Sequence, residues 1–413
     1  GLIVIDEEHD PSFRQEDNPN YNARDVGVKR GQLERIPVVL GSATPSFESW
    51  YNATEGKYQL AVLPARVTPS ADPELILVDM SGPDERSPNH PSLSRTLVGE
   101  LEKVIERGEQ AMLFLNRRGL APFLLCSDCH QTLPCPNCSV TLTFHANRKA
   151  VCHYCGHKQA PPGSCPDCGS ARFGPVGTGT QGVEQALMEI FPGAAVDRLD
   201  RDALGQRGAL ERIYSRMDSG ETTLLVGTQM LAKGHDFPGV TLAGILNAEQ
   251  ALDLPDFRSA ERTFQIITQV AGRAGRGERP GKVVIQSYTP EHYAITTALS
   301  GDHEEFYRAE IGSRQALGYP PFGRFGRIIL DSTSEEKVAN AALALRGKLP
   351  TIKDTRVLGP SPAPLVKIRN RYRWHILVLS RNHRELMRIM HAAKDVNIPG
   401  VRVVTRVDPV QLL

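Results

Sequence analysis

The chain has 413 residues, enough for two or three domains and at least one large core. Its 48 Lys plus Arg against 47 Asp plus Glu leave it close to neutral, which excludes a tail binding polyanions by bulk charge but not a local basic groove. Apolar residues make up 40% and charged residues 23%; no apolar run is long enough to span a bilayer and no leader-like stretch occurs, so the expectation is a cytoplasmic protein with no membrane partner.

The chain begins at Gly1 inside an apolar run, which points to a truncated or processed chain. "LIVI" at 2–5 is β-branched and continuously apolar, as expected of a strand buried on both faces of a parallel sheet. "IPVVLGSATPS" at 36–46 repeats that form and ends in a turn of small polar residues; "AMLFLNRRG" at 111–119 and "TTLLVGTQ" at 222–229 are two more such strands. Helical stretches at 95–107, 183–191 and 258–270 lie between strands, so the class is α/β, with ligands expected at the carboxyl ends of strands. From about 330 the texture changes to a smaller α+β unit, and proline-rich joints at 319–322 and 360–364 suit boundaries or rigid turns.

All eight cysteines fall in four CxxC pairs: Cys126/Cys129, Cys135/Cys138, Cys152/Cys155 and Cys165/Cys168. A CxxC turn presents two thiolates to one tetrahedral ion, so four pairs supply two structural four-cysteine zinc sites, each closed to catalysis. A disulfide scaffold or redox dithiols are the alternatives, disfavoured in a chain without an export signal. Three pairings are possible. The loop from Cys138 to Cys152 suits a ribbon, leaving the outer pairs to close the second site, but spacing alone leaves the pairing open. His130, His145, His153 and His157 are read as surface or groove residues rather than ligands.

In "VIDEEHD" a strand delivers Asp6 and Glu7 to its carboxyl end, where an Asp can hold nucleotide-bound Mg²⁺ and the next Glu can orient or deprotonate a water. "GSATPS" at 41–46 is a turn able to sense that cluster. "QVAGRAGRG" at 269–277 offers Arg273 and Arg276 to neutralise charge developing on a γ-phosphate.

With these motifs the chain resembles the superfamily 2 helicases: "DEEH" stands as motif II, "SAT" as motif III and "QVAGRAGR" as motif VI, with "LVGTQMLAKGHDFPGV" at 225–240 as motif V. "PDFRSAER" at 255–262 and four CxxC pairs ahead of "GTGTQGVEQAL" narrow the resemblance to the bacterial replication-restart helicases, over essentially all residues to "VDPVQLL". The resemblance implies RecA-like P-loop NTPase helicase lobes, the first partial, with an inserted two-zinc, four-cysteine-per-ion domain and a C-terminal α+β domain. Its implied boundaries are 1–65 for the first lobe, 66–100 for an interlobe linker, 101–124 with 172–290 for the second lobe, 125–171 for the zinc insertion, 291–329 for a helical connector and 330–413 for the C-terminal domain.

It further implies a 3′-to-5′ DNA helicase, with ATP and Mg²⁺ as substrate, that recognises stalled or abandoned forks and initiates primosome assembly. The partners would be forked and single-stranded DNA, single-stranded DNA-binding protein and other primosome proteins. Residue by residue, Asp6 would bind Mg²⁺, Glu7 serve the water, and His9 couple that site to Gln269, with Arg276 the first choice of finger and Arg273 beside it. Ser42 and Thr44 would link hydrolysis to DNA grip, Gly227 and Thr228 would face DNA and nucleotide, and Phe13 and Tyr21 would stack on bases. The zinc pairing implied is nested: Cys126, Cys129, Cys165 and Cys168 on one ion, Cys135, Cys138, Cys152 and Cys155 on the other. "KIRNRYRW" is expected to place Lys367, Arg369, Arg371 and Arg373 on one face of a strand along DNA phosphates. Gly177, Gly179 and Gly182 also fit GxGxxG, but Gly174 and Pro175 are expected to interrupt the strand a dinucleotide turn needs.

No GxxxxGKS or GxxxxGKT occurs, so the phosphate-cradling loop is expected to precede Gly1 and the isolated chain to be inactive. The alternative from another class is a zinc-stabilised DNA- and protein-binding scaffold without catalysis.

Overall fold

A computed structural model describes every residue except 16–18, 64–71, 83, 88–89, 91, 116–122, 127, 130, 146–148, 177–178, 201–202, 206–207, 233–236, 253, 255, 278 and 410–413. "NRRG" at 116–119, His130, Gly177, "KGHD" at 233–236 and the last four residues therefore lie outside the described residues, as does the side chain of His145.

Six short runs form one all-parallel sheet, in the order Val196–Leu199, Leu224–Gly227, Gln110–Leu115, Val240–Leu246, Lys282–Ser287, Glu74–Asp79. The strands Gln110–Leu115, Leu224–Gly227 and Val240–Leu246 are buried at every residue because helices cover both faces. Along Gln110–Leu115 the side chains alternate between two cores. Met112 and Phe114 meet Phe264 and Ile267 of the helix Ser259–Ala271; Leu113 and Leu115 meet Leu97 and Leu101 of the helix Arg95–Glu106 and Val183 and Leu187 of the helix Thr180–Ile190. Each such buried side chain contributes about 1.5–3 kcal/mol of transfer free energy. The helices Tyr293–Ser300 and His303–Leu317 add Ile295 and Phe306 to the first core. This parallel α/β unit occupies the place expected for the second lobe.

The expected linker at 66–100 needs correction. Glu74–Asp79 is the edge strand of this sheet, paired along its whole length with Lys282–Ser287, because Leu75 and Leu77 reach one core while Ile76 and Val78 reach the other. The helix Arg95–Glu106 also belongs to the lobe; the Ser94 hydroxyl caps it by accepting from the Leu97 N–H at 3.0 Å.

Where the first lobe was expected, Ile3–Ile5 and Val38–Leu40 pair in parallel, joined through the helix Ala23–Glu34. Both strands were expected to be buried on two faces, yet Val4 is 62% and Val39 48% exposed. The helix covers one face alone, approaching so closely that a Cβ on Gly31 would stand 2.2 Å from Val38.

The insertion is a five-stranded antiparallel sheet in the order Lys158–Gln159, Lys149–Val151, Thr143–His145, Phe123–Cys126, Phe173–Val176. Gly174 and Pro175 do not interrupt a strand, as had been expected; they pair with Leu125 and Leu124. That strand is antiparallel and belongs to the insertion, so it does not lead Gly179 and Gly182 into a dinucleotide-binding unit.

The C-terminal unit is a four-stranded antiparallel sheet, Thr355–Ile368, Arg371–Ser380, Arg324–Ser332, Arg402–Val407, with the helices Glu335–Lys348 and His383–Lys394 on one face. The expected boundary at 330 falls inside its strand Arg324–Ser332. The basic row is also corrected: Arg369 and Asn370 form a two-residue turn with φ of 51° and 60°, so Lys367 and Arg371 lie on different strands. Arg371 is bonded to Asp331, Arg373 is half-buried, and Lys367 and Arg369 hold on to the zinc insertion, so no four-residue row lies free for phosphates. Among the described residues, no helix is long and apolar enough to cross a membrane.

Candidate hydrolytic centre and zinc sites

Pairing of Ile5 with Leu40 brings the ends of motif II and motif III side by side. The Gly41 N–H donates to the Ile5 carbonyl at 2.8 Å and the Glu8 N–H to the Gly41 carbonyl at 3.1 Å. Glu7 sits at φ 49°, a left-handed conformation rare for a non-glycine residue, and here Glu7 and Glu8 part company. The Glu7 side chain remains 45% exposed with Oε2 tucked 3.6 Å from His9 Nδ1 and without a hydrogen bond. Asp6 is exposed beside it, its Oδ1 accepting from the Glu7 N–H at 3.0 Å.

His9, whose side chain is 5% exposed, bridges the two lobes: Nδ1 lies 2.7 Å from Ser42 Oγ and Nε2 lies 2.8 Å from Gln269 Nε2. With the amide N–H of Gln269 aimed at Nε2, a neutral ring carries its proton on Nδ1 and donates it to Ser42. Ser42 Oγ also accepts from the Thr44 N–H at 2.9 Å, and the Thr44 carbonyl accepts from Gln265 Nε2 at 3.4 Å. If the bridge carries energy across the lobes, His9→Ala and Gln269→Ala should be non-additive in urea denaturation of this chain. The expected coupling is about 1 kcal/mol, and simple additivity would show that the two side chains act independently.

The other predicted residues take varied positions. Arg276 is exposed and folds Nε onto the Gly272 carbonyl at 2.7 Å, while Arg273 stands near the Tyr214 phenol. Thr228 is buried at the end of Leu224–Gly227, and Gly227 has a packing reason of its own: a Cβ there would stand 2.7 Å from both the Leu199 carbonyl and the Leu231 side chain. Tyr21 is exposed on a small hairpin that pairs it with Gln15; Phe13 is half-buried in the turn Pro11–Phe13.

Sequence reasoning missed an ionic framework around these motifs. Glu8, 2% exposed, accepts from the Ser46 N–H (2.6 Å), Ser46 Oγ (3.0 Å), Ser49 Oγ (2.8 Å) and Arg24 Nη1 (3.0 Å). Arg314, with 1% of its side chain exposed, meets Glu261 and Glu310 at 2.9 Å each and lies 4.0 Å over the Phe47 ring. Burial opposes the charge on Glu48, but Arg258, then Arg24 and Arg314, outweigh it and hold the carboxyl down at about 2. A cavity of about 630 Å³ opens beside this framework, bounded by His9, Arg24, Asn52, Arg262, Gln265 and Arg324. The acidic third position of "DEEH" was visible in the sequence, but its partners lie on helices whose placement no local pattern specifies.

The cysteines form two groups: Cys126, Cys129, Cys165 and Cys168, and Cys135, Cys138, Cys152 and Cys155, the ligand atoms of each within 4.8 Å of one another. Sulfur separations of 3.6 Å (Cys126–Cys168), 3.5 Å (Cys129–Cys165) and 3.6 Å (Cys135–Cys155) match thiolates about 2.3 Å from a tetrahedral zinc, which stand about 3.8 Å apart. The donor sets therefore fit two structural zincs in the nested pairing. His157 turns instead to Gln159 Oε1 at 2.9 Å. Metal analysis of the purified chain should return two zincs per molecule; one or none would overturn the reading of two four-cysteine sites.

Residues 315–410 match the family model described as the primosomal protein N C-terminal domain, and residues 135–159 the PriA DNA helicase Cys-rich region domain. The chain is 42% identical to the replication restart protein PriA of Bacillus subtilis, across 100% of its own length and 52% of that protein's. Along its whole length the chain is similar to the PriA proteins. The Treponema pallidum PriA is 40% identical, with 100% of this chain and 63% of that protein covered. The chain thus spans about half the length of the curated relatives it matches. A structure of RecG bound to a three-way DNA junction is similar at 15% identity and a TM-score of 0.38, covering 76% of this chain and 30% of that one, too loosely to add to the topology above.

Proposed function

We propose that the chain is the part, from motif II onward, of an ATP-dependent 3′-to-5′ DNA helicase that recognises stalled or abandoned replication forks and initiates primosome assembly. The observation that carries this reading is the 42% identity, along the whole of this chain and 52% of the relative, to a replication restart protein. The bridge from motif II through His9 to Gln269 of motif VI supports it. ATP with Mg²⁺ would supply the transferable phosphoryl group and the charge to be neutralised. Asp6 would hold the metal, and Glu7 Oε2 would take the proton of the attacking water. Arg276, with Arg273 beside it, would swing toward the γ-phosphate from the turn after the motif VI helix. Ser42 and Thr44, bonded to His9 and Gln265 respectively, would relay that event to the DNA side, where Tyr21, Phe13 and Thr228 would touch single-stranded DNA.

The exposed apolar surface of Leu2, Val4 and Val39 supports completion of the first lobe by further chain, which would bring the phosphate-cradling loop. The 413-residue chain alone should therefore show no DNA-stimulated ATP hydrolysis, whereas the full-length protein should hydrolyse ATP when given forked or single-stranded DNA. Appreciable turnover by the isolated chain would sink the claim that the missing half is needed. A full-length protein inert with every DNA would favour the non-catalytic scaffold.

A further inference from the structure

Three of the four CxxC turns satisfy their second cysteine locally. Cys129, Cys155 and Cys168 accept backbone N–H groups from the residues two places on, Gln131, His157 and Ser170. Cys138 is different. The N–H that reaches its sulfur, at 3.2 Å, belongs to Arg369 in the C-terminal domain.

The contact is a seat rather than a single bond. Lys367 N–H donates to Ser139 Oγ at 2.7 Å and Ser139 N–H donates back to the Lys367 carbonyl at 2.8 Å. Asn370 N–H donates to the Asn137 carbonyl at 2.7 Å, and Arg369 Nε to the Tyr154 carbonyl at 2.9 Å. Ile368 packs against the apolar core of the insertion, which includes Leu124 and Leu142 as well as Cys135, Cys138 and Cys152. Every residue of the insertion bonded here lies in or beside the Cys135/Cys138 or Cys152/Cys155 turn. In the other cluster, Cys126, Cys129 and Cys168 take their donors from Cys129, Gln131 and Ser170, all inside the insertion.

We propose that the Cys135/Cys138/Cys152/Cys155 zinc site is the docking seat of the C-terminal domain, its zinc and the Arg369–Asn370 turn retaining each other, while the second zinc is independent of that domain. An N–H aimed at a zinc-bound thiolate stabilises its charge, so an undocked turn leaves Cys138 a poorer ligand. Conversely, zinc fixes the shape of the 135–139 loop that presents Asn137 and Ser139. The coupling must be reciprocal, because both events draw on one linkage free energy. The inference rests on the zinc reading of the two cysteine groups.

The test uses the 413-residue chain with one zinc site removed at a time. Metal analysis comes first: Cys168→Ser and Cys152→Ser should each retain one zinc, and loss of both in either variant would fail the zinc reading itself. In the Cys168→Ser background, adding Ile368→Asp should speed zinc release to a chromogenic chelator about tenfold. In the Cys152→Ser background the same change should leave release unaltered. Ser139→Ala, which removes one acceptor without touching the hairpin, should act in the same direction and guards against misfolding by the first variant. Hydrogen exchange gives the reverse arm: Cys152→Ser should expose the Lys367, Arg369 and Asn370 amides and Cys168→Ser should not, with Ile328 and Ile376 as controls for an intact sheet. Equal release in the two backgrounds, or protected turn amides after Cys152→Ser, would overturn the proposal.

Discussion

A Glu7→Gln substitution in the full-length protein should lower ATP hydrolysis about 10²–10⁴-fold while ATP binding stays within about twofold. The amide keeps the size and most contacts of the carboxylate but cannot take a proton from water. The neighbouring glutamate provides the contrast. Glu8 is buried against Ser46, Ser49 and Arg24, so Glu8→Gln should lower the melting temperature, because a charge-assisted acceptor is lost from a closed knot. Steady-state hydrolysis, binding of a fluorescent nucleotide and thermal melts on both variants separate the two roles. Hydrolysis surviving Glu7→Gln would remove Glu7 from the water-activating role.

Arg314→Met should destabilise the chain by about 3–5 kcal/mol, the scale for removing one partner of a buried ionic group. The loss comes from Glu261 and Glu310, left facing each other without a cation where each is less than a tenth exposed. Glu261 Oε1 additionally accepts from the Phe47 N–H at 3.1 Å, so the damage spreads to the helix that follows motif III. Neutralising all three, with Glu261→Gln and Glu310→Gln added, should recover much of the stability, since the cost lies in the orphaned charges. Urea denaturation followed by circular dichroism measures both. An Arg314→Met loss below about 1 kcal/mol would mean that water reaches the carboxylates.

Much of this architecture was legible because it is local. Short β-branched runs, four CxxC turns and small-residue turns after strands each carry their physical reason within a few residues. What stayed hidden depends on distant partners. "ELILVD" at 74–79 is a strand by composition, but nothing near it says that it extends a sheet whose preceding strand is Lys282–Ser287. In "KIRNRYRW" the alternation of basic residues runs straight through a turn, since Ile368 pairs with Arg371 across Arg369–Asn370. An Arg-Asn turn lacks the glycine that normally marks a two-residue hairpin. The His9, Ser42 and Gln269 contacts are set by lobe packing; the residue types were visible through the motifs, the distances were not.

The edge strand Glu74–Asp79 has a consequence for how the molecule is made. Its only sheet neighbour among the described residues, Lys282–Ser287, is the last strand of the lobe to leave the ribosome. About 200 residues separate them, and at 5–20 residues per second the earlier strand waits roughly 10–40 s for its partner. The cysteine-rich insertion contains its own strand pairings and can form long before that, lacking only the Arg369–Asn370 turn that later seats on it. Translation stalled ahead of residue 282 would leave an apolar strand with no partner, a template for aggregation that only the synthesis of Lys282–Ser287 removes.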